Sequence, residues 1–308
     1  MVAVGRRRSR GASGGRDRGA DRVIRRVAVI TPASANRSAH LHRQREFLRT
    51  VGAPRSEAGR ASDVEIEVEH IEAWLDADEP AASDLSVQLH VPPGPYGLRV
   101  GAGRNVAARL AQSRGADLLV FLDVDCLPGP TLLERYVAAS SHHPDEILNG
   151  PVTYLASPQR PDSPSDLAAM TRPHPARPRP RDGETAAATS AQYDLFWSLS
   201  FAVTPAVWDR LGGFDEAYEG YGAEDTDLGR RARSLGIGMR WVGGAHAYHQ
   251  WHPSGSPPWR HLDDILRNGA VFAERWGEWP MGGWLRAFLD AGAIEPVDGG
   301  FRRVPAGS

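Results

Sequence analysis

The sequence contains no lysine: all 36 of its basic residues are arginine. That excludes a Walker-type phosphate-gripping lysine, a Schiff-base lysine and pyridoxal phosphate chemistry. Alanine, glycine, proline and arginine are abundant instead. GC-rich coding produces that bias, which points to a bacterial source. Cysteine occurs once, as Cys126. An intramolecular disulfide is impossible and a cysteine-based zinc site is excluded, which fits a reducing, cytoplasmic setting. Long apolar runs are also missing. The longest, Leu118 to Leu122, falls well short of a membrane span. No apolar segment follows the basic N-terminus, so no secretory signal is expected.

What is present suffices for a real core: 308 residues, 41% hydrophobic, with nine tryptophans. The formal charge of −2 is unevenly spread. Residues 1–26 hold nine arginines against two aspartates, so the remainder stands near −9. Segment 1–25 reads as a disordered Arg-rich arm. It is either a solvated tail, or a start site placed too far upstream, or a tether to nucleic acid or to anionic lipid at the inner face of a membrane. A body this acidic does not read as a nucleic-acid binder.

Strand and helix patterns alternate along the chain, which predicts an α/β open sheet. Arg26 to Thr31 reads as a first strand, and His40 to Val51 as a helix. Residues 64–70 alternate strictly, as in a half-buried strand, and Ser86 to Val91 reads as a third. Arg104 to Arg114 carries one apolar helical face. Asp117 to Asp123 is a continuous apolar run, the mark of a strand buried on both faces. A further helix is expected from Thr131 to Ser140. Residues 151–190 hold eight prolines and read as a long loop able to close over a ligand. Beyond it come a strand (Phe196 to Val203) and a short helix (Pro205 to Leu211) with Thr204 as cap and Gly212 as stop. A helix from Glu224 to Leu235, extended segments at 237–242 and 245–250, and a helix from His261 to Trp276 complete the pattern.

Three clusters carry chemistry. Asp123 and Asp125 lie just past the buried strand, where ligands of open sheets bind. If the chain stays extended there, both point one way, and two converging carboxylates invite a cation. Alternatively they are plain turn carboxylates. Glu224, Asp225 and Asp227 open a helix. Complementing the helix dipole accounts for Asp227. Glu224 and Asp225 flank the apolar stripe and lean inwards, as a general base would. His246, His249 and His252 form the third cluster. Their spacing lets one of them, or two around a bend, reach a metal beside Asp125; His246 reads as structural. Tyr193, Trp197, Tyr218 and Tyr221 are either sugar-stacking faces or packing residues.

In this order the clusters resemble the GT-A-fold glycosyltransferases of the family-2 type, with a C-terminal half similar to the β-1,4-galactosyltransferase group. The matching residues are Val29-Ile-Thr-Pro32 with Arg37, Gly103-Arg-Asn105, Asp123-Val-Asp125, Gly212-Gly-Phe-Asp215, Gly222-Ala-Glu-Asp225 and His249-Gln-Trp-His252. The resemblance covers roughly residues 26–280. It implies a single α/β domain over 26–290, with a mixed, mainly parallel Rossmann-like sheet flanked by helices. Residues 26–128 would be the nucleotide-binding half and 129–290 the acceptor and catalytic half, with 291–308 a tail. It also implies roles. Thr31, Pro32 and Arg37 would border the nucleotide, Arg104 and Asn105 would sit near ribose and diphosphate, and Asp123 would face the sugar nucleotide. Asp125 with His249, and His252 as a further candidate, would hold Mn²⁺ or Mg²⁺. Asp225 would be the base, with Glu224 beside it. The implied activity is metal-dependent, inverting transfer of a hexose from a nucleotide-sugar, expected to be a UDP-sugar, to a glycan or glycolipid hydroxyl. A metal-dependent phosphohydrolase and a non-catalytic nucleotide-sugar-binding protein are the alternatives. Tyr221 stands where related enzymes often carry Trp, and Glu69, Glu72 and Asp76 compete for the carboxylate that reads the base.

Overall fold

The computed structural model describes residues 23–51, 66–157, 159–253 and 255–305. The arm expected over 1–25 lies almost wholly outside them. The first half runs β1 (Arg26–Ala33), α1 (Ser38–Val51), β2 (Glu67–Trp74), β3 (Val87–His90), α2 (Val100–Ser113), β4 (Leu118–Leu122), β5 (Cys126–Pro128), α3 (Leu132–His142), β6 (Glu146–Asn149) and β7 (Val152–Tyr154). The second half runs α4 (Leu167–Met170), β8 (Thr185–Ala187), β9 (Ser200–Val203), α5 (Pro205–Leu211), α6 (Glu224–Ser234), β10 (Gly238–Val242), β11 (Ala247–His249), α7 (Leu262–Trp276), α8 (Gly282–Asp290), β12 (Ile294–Val297) and β13 (Gly300–Arg303).

Eight strands form the main sheet in the order β3-β2-β1-β4-β9-β6-β10-β8. β3, β2, β1 and β4 are parallel; β9 runs against both β4 and β6, and β8 runs against β10. The expected mixed, mainly parallel sheet is borne out. Side chains alternate between two cores. Ala28, Ile30, Leu119 and Phe121 pack with α2, α5 and α6 on one face. Val27, Val29, Leu118, Val120 and Leu122 pack with α3 on the other. All five β4 residues are buried, which explains their unbroken apolar run. α5 starts and stops on the expected signals: Thr204 accepts from the Val207 amide, and Gly212 takes φ +72°.

A second sheet is smaller, with order β5-β11-β7 and three residues in each strand. It sits at the carboxyl end of β4, because β5 follows β4 after one turn. Two sequence expectations change here. The segment 151–190 is anchored along its length rather than free: it contributes β7 and β8, it buries Leu167, and Arg177 is 3% exposed. The stretch 291–308, expected as a tail, supplies the β12–β13 hairpin, whose Ile294 packs on α7 and α8. Among the described residues, no helix is long and apolar enough to cross a membrane.

Asp227 ties α6 to α7. It is fully buried and accepts from Arg231 Nε (2.8 Å), Arg275 Nη1 (2.6 Å) and Trp276 Nε1 (3.0 Å). The helix-dipole account of Asp227 therefore gives way to a cross-helix anchor. Removing a buried charge strands its partners. Asp227→Ala is expected to lower unfolding stability by about 3 kcal/mol in urea titrations. A loss under about 1 kcal/mol would contradict the anchor role.

Candidate active site

The site is built at the carboxyl end of β4, where the chain turns. It does not stay extended: the Cys126 amide bonds back to the Asp123 carbonyl at 2.8 Å. Val124 faces inwards, packing with Ala33 and Leu41. The turn sends the two aspartates to different partners. Gln44, fully buried on the apolar face of α1, pins it by donating Nε2 to the carbonyls of Asp123 (2.7 Å) and Cys126 (2.8 Å). Sequence reading missed Gln44. Its signal was a polar residue on the stripe that holds Leu41 and Leu48.

Asp125 meets the histidines through strand register. β11 pairs with β5 so that His249 lies opposite Cys126, and the Gln250 amide donates to the Asp125 carbonyl at 2.7 Å. The chain then leaves the strand and bends, which returns His252 to the same place. His249 Nε2 is 3.5 Å from Asp125 Oδ1, and His252 Nε2 is 3.4 Å from Oδ2. Asp125, His249 and His252 each offer a ligand atom, and those atoms lie within 4.8 Å of one another. Burial opposes ionisation of Asp125. The His252 hydrogen bond and the charges of His249, His252 and Arg37 outweigh it and hold the pKa at about 2. An ionised carboxylate with two imidazoles suits a borderline divalent ion such as Mn²⁺ better than Mg²⁺, which prefers oxygen alone. His246 is elsewhere, buried and bonded to Thr153 Oγ1 at 2.8 Å, as expected of a structural histidine.

Asp123 turns to Arg104, whose Nη2 is 2.5 Å from Oδ1. Arg104 is 2% exposed and stacks over Phe214 at 4.9 Å. It also feels Asp225 and Glu224, and these carboxylates keep it charged despite its burial. Arg104 thus bonds the β4 turn and acts through its charge on the start of α6. Ala223, a non-glycine residue at φ +77°, opens that helix. Asp225 Oδ2 accepts from the Ser198 amide at 3.0 Å, while its Oδ1 is buried with no partner. The Glu224 carboxyl is pushed up to about 7 by burial and then by the Asp225 charge, against the pull of Arg104. An orphaned carboxylate oxygen beside a carboxyl that titrates near neutrality suits proton transfer.

Other expected residues sit behind this surface. Thr31 is fully buried, bonded to Gln44 Oε1 and His70 Nε2, each at 3.0 Å, so its side chain faces the protein rather than a ligand. Pro32 is buried beside it. Asn105 donates to the Phe214 carbonyl (2.9 Å) and to Glu216 (3.0 Å), and accepts from the Phe214 amide (2.8 Å). Its amide clamps the 213–216 loop instead of reaching outwards. The three competing carboxylates separate cleanly. Glu69 pairs with Arg114, and buried Glu72 takes a two-pronged bond from Arg45. Asp76, at the carboxyl end of β2, accepts the Ala35 amide (2.7 Å) and, among the described residues, no other bond to its side chain. Of the aromatics, Tyr218 is buried, while Tyr221 is 39% exposed and stacks on His261 at 4.4 Å. Tyr154, which sequence reading missed, is 48% exposed with its ring 4.7 Å from that of His249.

The fold matches solved structures. S. aureus TarS 1–349 in complex with UDP-GlcNAc aligns with a TM-score of 0.52 at 14% identity, over 86% of this chain and 71% of that one. GalNAc-T7 with UDP, GalNAc and Mn²⁺ aligns with a TM-score of 0.51 at 13% identity, over 82% and 50%. The fold is GT-A, the glycosyltransferase fold. Within this GT-A domain, residues 184–253 match the family model described as the N-terminal domain of galactosyltransferase. That stretch holds the Gly212, Glu224-Asp225 and His249–His252 segments, so the expected resemblance is borne out. A validoxylamine A glucosyltransferase of Streptomyces hygroscopicus subsp. jinggangensis (strain 5008) is 32% identical over 162 residues. That match spans 46% of this chain and 37% of the relative's length.

Burial of Glu224 has a measurable consequence. Its folded pKa of about 7 exceeds the ordinary 4.5, so the stability it contributes is fully present below about pH 4.5 and is lost as pH rises through 7. With EDTA present, Glu224→Gln is expected to gain on the wild type between those pH values and hold its lead above them. A stability difference that does not change with pH would contradict this.

Proposed function

We propose that the chain is a metal-dependent, inverting glycosyltransferase. It moves a hexose from a nucleotide-sugar, with UDP as the expected nucleotide, to a hydroxyl of a glycan or lipid-linked acceptor. One observation carries the reading. Arg104 bonds Asp123 at the end of β4, two residues before the Asp125 of the carboxylate–histidine cluster, and feels the charges of the Glu224–Asp225 pair at the start of α6. A donor's leaving group and an acceptor's hydroxyl need those two kinds of group in one cleft. The validoxylamine A glucosyltransferase match and the UDP-bound TarS and GalNAc-T7 structures support the same reading.

Asp125, His249 and His252 would hold the divalent ion, which when bound supplies positive charge against the departing diphosphate. The protein's own residues do the rest. Asp76 is free to read the nucleobase at the end of β2. Arg37 borders the diphosphate. Asp123, held by Arg104, faces the donor sugar. Asp225 takes the proton of the acceptor hydroxyl on its unpartnered Oδ1. The hydroxyl oxygen attacks the anomeric carbon from the face opposite the nucleotide, the bond to diphosphate breaks, and the configuration inverts. Glu224 grips a sugar hydroxyl, and Tyr221 offers an aromatic face to the acceptor.

Positioned proton removal is worth about 10²–10⁴-fold. Asp225→Asn is therefore expected to keep donor binding and to lose at least about a hundredfold in kcat; near-normal turnover would remove Asp225 from the role. Asp125→Ala is expected to abolish metal-dependent UDP binding, and unchanged affinity would contradict the metal assignment. NMR of the product should show the inverted anomer, whereas retention would overturn the single-displacement step.

A further inference from the structure

Arg37 occupies an unusual position for a cation. It closes the 3-10 turn Ala35–Arg37 just past β1. Its Nη2 lies 3.3 Å from Nδ1 and 3.2 Å from Nε2 of His252. Its Nε is 3.8 Å from Asp125 Oδ2, and its side chain is only 22% exposed. Its near-equal distances to both ring nitrogens set the guanidinium against the His252 ring as a whole, beside a ligand the metal would use. The guanidinium also leans on the carboxylate that the metal would share. Charge repulsion adds to this conflict, because a divalent ion at Asp125 would sit a few ångströms from a fixed positive charge.

We propose that Arg37 is a built-in counter-cation that competes with the divalent ion for Asp125 and His252 and swings to the nucleoside diphosphate when that ligand arrives. The inference rests on the metal site proposed above. Its location supports the hand-over. The Arg37 turn lies in the crevice beyond the carboxyl ends of β1 and β4, where an open sheet receives its ligand. A diphosphate there gives the guanidinium a two-pronged anionic partner. Metal and nucleotide then bind cooperatively. Arg37 opposes the ion alone, and the diphosphate removes that opposition, an effect that must act equally in both directions. The fold thereby avoids trapping a metal tightly in the absence of donor.

The test measures Mn²⁺ binding by electron paramagnetic resonance of the free ion, without nucleotide, on the full chain, Arg37→Gln and Arg37→Met. Both variants are expected to bind Mn²⁺ about tenfold more tightly than the wild type. UDP titrated at saturating Mn²⁺ is expected to bind them about tenfold more weakly. Loss of fold would weaken both ligands, so opposite signs mark the proposed role. Mn²⁺ affinity equal to or weaker than the wild type's in both variants overturns the competition and leaves the metal site standing. Tighter Mn²⁺ binding with unchanged UDP affinity overturns the hand-over. Absence of Mn²⁺ binding in all three proteins overturns the metal site and this inference together.

Discussion

Arg104 is the residue on which the cleft depends. Asp123, Glu224 and Asp225 come from two distant stretches of chain and repel one another. A buried guanidinium, bonded to Asp123 and within electrostatic reach of the other two, offsets that repulsion. α2 holds Arg104 from beneath, and Phe214 covers its face. Two of its nitrogens, Nε and Nη1, are buried without a partner. That polar surplus is tolerable in a site where charge is needed for chemistry, and costly anywhere else.

The rest of the cleft follows from strand geometry. β4 delivers a turn at its carboxyl end, Gln44 fixes the turn, and the pairing of β5 with β11 brings His249 to it. Three residues of antiparallel pairing thus decide whether a carboxylate 124 positions away in sequence meets an imidazole. The Pro-rich segment closes the small sheet from its other edge through β7, with Tyr154 opposite His249. Arg177 is held between the indoles of Trp197 and Trp241, at 5.1 and 4.9 Å. These contacts make the segment one wall of the site.

The main sheet and long helices were legible because burial imposes period. β4 is apolar throughout and α5 carries both its cap and its stop, whereas the strand expected at 64–70 is displaced to Glu67–Trp74, where 71–73 are all buried, and residues 64–65 lie outside the described residues. Of the small sheet only β11, inside the extended segment 245–250, was legible; β5 and β7 are three residues each, too short to show a period, and owe their existence to their neighbours. Asp227 misled for a related reason: two of its partners, Arg275 and Trp276, come from a helix nearly fifty residues on, so an anchor looked like a dipole complement. Within the site, residue type was readable and orientation was not. Asp125, His249 and His252 were singled out as candidate ligands and do converge. Thr31 and Asn105 were chosen by motif, yet their side chains are spent inside the protein.

The central claim is that this GT-A cleft binds a nucleotide through a divalent ion. Calorimetry of the full chain with UDP, GDP, TDP and CMP, each with and without Mn²⁺, tests it most directly. The account predicts selective UDP binding that requires the metal. A folded protein that binds none of the four nucleotides, with or without Mn²⁺, would contradict it.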